Sequence, residues 1–246
     1  MRDRSARRLA AVILALVALS AACAPGSVPD PSVTDPSVTV EPRQCPYDEH
    51  TVQSNGDSVG FAYANRLRLD GPWTVFNAAQ GASSWTISTQ VPTIAARVRE
   101  WIERCGNPAA VIIEGGIIDI TRSMPLEDVY LVVGELSDWL EARGVPTVWV
   151  ALNPFPSTSP YQAKEGRRSA YNEWLTTPGR VWGSTVDCTS VLEDPLQPAT
   201  LRRDYWKVID LFGNPDGVHP NTLGYEVMAG CVRPVVLDVL ARESTP

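Results

Sequence analysis

Histidine is almost missing from this chain: 246 residues contain two, His50 and His219. Chemistry that needs an imidazole therefore has two positions to draw on. Neither lies beside any of the five cysteines, which argues against a zinc centre and against a cysteine nucleophile. Basic charge is in deficit, with 21 Lys and Arg against 28 Asp and Glu and a formal net charge of −7. Phosphate backbones need a basic face, so nucleic acid is not expected as a partner. No internal repeat of solenoid length is present. Long apolar runs are also scarce: the longest opens the chain, and it falls short of the roughly 20 residues that span a bilayer.

That opening run has a form of its own. A basic "MRDRSARR" precedes the apolar "LAAVILALVALSAAC", and small residues follow. This is the layout of a secretory leader, residues 1–23. "LSAAC" is also similar to a bacterial lipobox, in which Cys23 would carry lipid and tether the mature protein to the outer face of the cell membrane. Ser20 stands where the pattern usually has an aliphatic residue; without lipid, the protein is expected to be secreted. Residues 24–44 are rich in Pro, Ser, Val and Thr and contain "DPSVT" twice. Proline at that density suits an extended spacer ahead of a folded domain over 45–246. The remaining cysteines, Cys45, Cys105, Cys188 and Cys231, are even in number, as two disulfides in an exported protein require. Sequence alone leaves three connectivities open.

The folded part alternates short apolar runs with amphipathic ones. Strands are predicted at Glu49–Ser54, Trp73–Ala79, Ala109–Gly116, Val145–Pro154 and Ser184–Cys188. Helices are predicted at Val59–Leu69, Val91–Cys105, Pro125–Gly144 and Asn221–Glu243, the last bent at Pro234. Continuous apolar strands such as "AAVIIEGG" suit a parallel sheet buried on both faces. The order implies βαβ units and a three-layer α/β/α fold with a mostly parallel five-stranded sheet. In such sheets ligands lie at the carboxyl ends of the strands.

"SNGDSVG" (Ser54–Gly60) puts an Asn-Gly-Asp turn signal straight before Ser58, just past the first strand. Ser58 there either caps the next helix or serves as a nucleophile. His50 stands at the start of that strand and so belongs at the far end of the sheet. His219 lies in "NPDGVHPN", three residues after Asp216, where a carboxylate can orient an imidazole whose other nitrogen is free.

Together these segments resemble the SGNH, or GDSL-type, hydrolase family, from about His50 to the end of the terminal helix. "NAAQGASS" is similar to the family's second block, "GGIID" falls where the third should be, and "HPNTLGYEVMA" is similar to the sequence after the catalytic histidine. The resemblance implies a flavodoxin-like fold and a serine esterase acting on O-acyl groups of lipids or cell-envelope glycans. Ser58 would be nucleophile, His219 general base and acid, and Asp216 its orienter, with the N–H groups of Ser58 and Gly81 forming an oxyanion hole. It implies no cofactor and no metal. It also places a late strand beside the terminal helix, which favours Cys188 with Cys231 and leaves Cys45 with Cys105. One position departs: the family's third block carries an asparagine that donates to the oxyanion, and here it is Ile118. Asp119 is expected to be structural, and Asn153 is a candidate substitute donor. The departure leaves room for acyl transfer, or for a glycan- or lipid-binding module, as alternatives to hydrolysis.

Overall fold

Five short strands, each rich in β-branched residues, line up side by side. In the structure, a computed structural model describing residues 45–88, 91–210 and 216–243, they are β1 (Thr51–Gly56), β2 (Thr74–Asn77), β3 (Ala110–Glu114), β4 (Thr147–Val150) and β5 (Ser184–Val186). The sheet is parallel throughout, in the order β2-β1-β3-β4-β5. Every residue of β1, β3 and β4 is buried, the condition for a strand covered on both faces. The expected leader, Cys23 lipidation site and spacer lie outside the described residues.

The helices divide between the two faces. α1 (Ser58–Ala64) and α7 (Thr222–Glu243) enclose one apolar core, with Val59, Tyr63, Met228, Val232 and Val236 against Val52, Ile112 and Val148. On the other face lie α2 (Ile94–Cys105), α3 (Ile117–Thr121), α4 (Leu126–Glu141) and α5 (Glu165–Thr176). Their core centres on Trp85 and Trp149. Truncating side chains of that size to alanine typically costs about 3–5 kcal/mol. A short helix, α6 (Thr189–Leu192), and a small antiparallel pair, β6 (Glu193–Asp194) and β7 (Gln197–Leu201), follow β5. No helix among the described residues is long and apolar enough to cross a membrane.

Several boundaries differ from the sequence expectation, each for a local reason. Asn55 and Gly56 complete β1 rather than turning, because they pair with Ile113 and Glu114 of β3. Glycine is required there: a Cβ on Gly56 would stand 2.1 Å from the Glu114 carbonyl oxygen. α2 starts at Ile94 rather than Val91, where the hydroxyl of Thr93 takes the N–H of Ala96 at 3.2 Å. α7 begins at Thr222, one residue after the expected Asn221, and holds Pro234 within it. The polar "EGRRSAYNEWLT" forms α5, which sequence did not predict; a buried Glu165–Arg168 pair anchors it, Arg168 donating to the Leu152 carbonyl at 2.7 Å.

Both expected disulfides are present, Cys45–Cys105 and Cys188–Cys231, with Cα atoms 5.3 and 6.0 Å apart. The first ties the start of the described chain to the end of α2. The second ties the segment after β5 to α7.

Candidate active site

Ser58 is the first residue of α1, immediately beyond the carboxyl end of β1. The cap of that helix is Asp57, whose Oδ1 accepts the Val59 N–H at 2.9 Å. A cap of this kind stabilises by roughly 1 kcal/mol. It also leaves the Ser58 hydroxyl free of capping duty, and Ser58 Oγ lies 2.7 Å from His219 Nε2.

His219 Nδ1 is 3.0 and 2.9 Å from the two oxygens of Asp216. An ionised carboxylate only accepts, so Nδ1 carries the hydrogen and Nε2 presents a lone pair to the serine. Asp216 Oδ1 also takes the backbone N–H groups of Val218 and His219, at 3.1 and 2.9 Å. Burial acts to raise the Asp216 carboxyl, but these donors and the imidazole overcome it and bring the group down to about 2. It is therefore charged at any pH of physiological interest. Lys207 Nζ stands 3.5 Å from its Oδ2.

The loop carrying His219 is held from several sides. Asn153 Nδ2 donates to the carbonyls of Pro154 and Val218, at 3.0 and 3.1 Å. Ser159 Oγ donates to Gly217 O at 2.5 Å. Asn221 caps α7, its Oδ1 taking the Gly224 N–H at 3.0 Å. The expectation that Asn153 substitutes as an oxyanion donor is corrected here: its amide hydrogens are occupied by two backbone carbonyls. Its place is to hold the histidine loop.

Gly81 comes close to the serine; a Cβ built on it would lie 3.9 Å from Ser58 Cβ. Ala82 next to it has φ 63°, a left-handed conformation that costs a non-glycine residue about 1 kcal/mol or more. The loop is fastened by Asp119, whose carboxylate takes the Trp85 N–H at 2.9 Å, the Thr86 N–H at 3.1 Å and the Thr86 hydroxyl at 2.7 Å. Asp119 is structural, as expected. Ile118 is half-buried and packs against the core around Trp85. Trp85 itself is core, its indole N–H donating to Gly115 O at 2.9 Å.

His50 lies at the amino end of β1, its ring 5.4 Å from that of Trp73. The strand separates it from Ser58 by about 20 Å. A cavity of about 360 Å³ lined by Thr147, Trp182, Ser184 and Arg242 opens on that same far rim and takes no part in the site.

The comparisons with known proteins agree with this fold. The GDSL-like Lipase/Acylhydrolase family matches residues 37–227. A GDSL-like lipase from Bacteroides thetaiotaomicron superposes with a TM-score of 0.60 at 15% identity, over 77% of this chain and 89% of that one. A member of the lipolytic G-D-S-L family from Veillonella parvula gives 0.55 at 14%, over 76% and 98%. The OSK domain of Drosophila Oskar gives 0.56 at 14%, over 78% and 92%. At such identities the structures speak for the fold alone. No curated protein matches the sequence. The family match spans most of the chain and takes in Ser58, Asp216 and His219: this protein belongs to the GDSL-like lipase/acylhydrolase, or SGNH hydrolase, family.

Proposed function

We propose that this protein is an exported serine esterase that removes O-acyl groups from glycans or lipids of the cell envelope. The observation that carries the reading is the hydrogen-bonded series Ser58 Oγ, His219 Nε2, His219 Nδ1, Asp216, with contacts of 2.7 and 2.9 Å. His219 takes the serine proton as Oγ attacks the ester carbonyl, then gives it to the departing alcohol. Water, activated by the same imidazole, releases the acyl group from Ser58. Asp216 holds the ring in one tautomer and stabilises the imidazolium. The N–H groups of Ser58 and Gly81 would receive the oxyanion.

Export and lipid anchoring belong to the same proposal. They rest on the leader-like residues 1–23, on Cys23 after the apolar run, and on paired cysteines in the folded domain. Expressed in a bacterial host, the wild type should partition into detergent and Cys23→Ala should not; equal partitioning would leave plain secretion.

The test of the chemistry is a fluorophosphonate probe followed by mass spectrometry. Labelling of Ser58 supports an activated nucleophile. Ile118, in place of a donor amide, favours a second reading: a module that binds acylated glycan or lipid and turns it over slowly or not at all. An unmodified Ser58 peptide at saturating probe would establish that reading instead.

A further inference from the structure

Two carboxyl groups lie buried together under the first turn of α1, and the triad uses neither. Asp57 is 0% and Glu114 1% exposed. Glu114 ends β3, paired in register with Gly56 at the end of β1. Asp57 Oδ1 is taken by the Val59 N–H, while its Oδ2 receives no donor among the described residues. Neither oxygen of Glu114 receives one. The Gly60 N–H leans towards Glu114 but lies outside hydrogen-bonding geometry. Glycines make the room: a Cβ on Gly60 would stand 3.1 Å from Glu114 Oε2, and one on Gly56 3.4 Å from the same atom.

Two ionised carboxylates in that position would repel each other in a medium of low dielectric, each short of donors. With one proton between them, a carboxylic acid donates to the carboxylate, which removes the repulsion and gives Asp57 Oδ2 the donor it otherwise lacks. We propose that Glu114 is kept as a neutral carboxylic acid, donating its hydrogen bond to Asp57 and so holding the cap of α1, and with it Ser58, in position. Glu114 is then a positioning residue for the nucleophile. The inference rests on the esterase reading for its purpose, but not for its chemistry.

The surroundings agree. Burial first, then the Asp57 charge, raise the Glu114 carboxyl well above its ordinary range. Burial raises Asp57 to about 6, opposed by the Val59 N–H and the hydrogen bond from Glu114. The other titratable groups facing the pair are Tyr63 from α1, Arg97 from α2, Asp119 from α3, Tyr171 from α5, Tyr225 from α7 and His219. Arg97 gives its two terminal nitrogens to Gly56 O, Ser83 Oγ and Gln80 Oε1, while its Nε meets no acceptor among the described residues.

The sign of the pH effect follows. An unfolded glutamate ionises near pH 4.5 and the folded one does not, so folding takes up a proton above that pH. The contribution of Glu114 to stability is full below it and declines as pH rises. Glu114→Gln keeps the shape and a donor but has no proton to take up. In urea titrations between about pH 5 and 8, the ratio of its folding constant to that of the wild type should rise by up to about tenfold per pH unit. Infrared spectra of the wild type at neutral pH should show a protonated carboxylic C=O band that Glu114→Gln lacks. Glu114→Gln should turn over an aryl ester within a few-fold of the wild type, whereas Glu114→Ala should lose roughly tenfold in kcat with KM little changed. A pH-independent ratio with no such band would overturn the proposal. If Glu114→Gln does not fold, Asp57→Asn decides: the band persists if the proton resides on Glu114 and disappears if it resides on Asp57, which also overturns it. A band and a pH-dependent ratio without probe labelling at Ser58 would uphold the proton pair and sink the esterase reading alone.

Discussion

The ammonium of Lys207 lies 3.5 Å from Asp216 Oδ2, the same oxygen that meets His219 Nδ1 at 2.9 Å. The backbone N–H of Lys207 donates to the His219 carbonyl at 3.1 Å, so its side chain is removable without loosening the loop. Part of the negative charge that steadies the imidazolium is thereby neutralised. In Lys207→Met that charge acts in full on His219, and the acid limb of the kcat/KM profile should move to higher pH. The pair is partly exposed, which limits the expected displacement to about 0.5 pH unit. Superimposable profiles would reduce Lys207 to a surface contact.

Ser58 and His219 should behave as one unit. Either alanine substitution should lower kcat on a short-chain aryl ester by about 10⁴-fold or more, and the double variant should lose little beyond that. Asp216→Asn should cost less, since an amide at that position still fills the space but favours the wrong tautomer. A serine variant with wild-type turnover would remove Ser58 from the mechanism.

Ile118→Asn should raise kcat more than it alters KM, because an oxyanion exists chiefly in the transition state. A lost donor costs about 10²–10³ in turnover, and recovery of about tenfold is the expected gain. Half-buried packing near Trp85 is given up in exchange, so the melting temperature should fall. Unchanged turnover in a folded variant would mean that this position does not face the oxyanion.

Acid stability should report on Asp216. Its folded carboxyl is brought down to about 2 from an ordinary 3.8, with burial opposing the donors that lower it. The stabilisation is present above pH 3.8 and is lost as pH falls towards 2. Asp216→Asn should therefore be less stable than the wild type at neutral pH, with the difference shrinking in acid. A constant difference across that range would place the contribution elsewhere.

Much of this was legible in the sequence, and what was not has physical reasons. The parallel strands announced themselves through buried apolar runs, and Ser58, Asp216 and His219 through turn residues beside them. α5 was missed because three of the five residues on its buried face, Glu165, Arg168 and Asn172, read as polar, leaving Tyr171 and Leu175 as the apolar signal. Asn153 was misjudged because sequence shows that an amide is near the strand ends but not where its hydrogens point. Both go to main-chain carbonyls. The carboxyl under α1 left one visible sign, a glutamate closing the otherwise apolar "AVIIE". Its partner was hidden inside the very turn that drew attention to Ser58.

Ser58 and His219, 161 positions apart in the chain, meet in the fold. During synthesis the nucleophile leaves the ribosome early, and its base only after all five strands have been made. Until α7 docks, Ser58 has no partner to take its proton, so partly made or truncated chains carry a serine of ordinary reactivity. On the esterase reading, the site doubles as a completion check: a molecule must assemble its whole sheet before it can attack an ester.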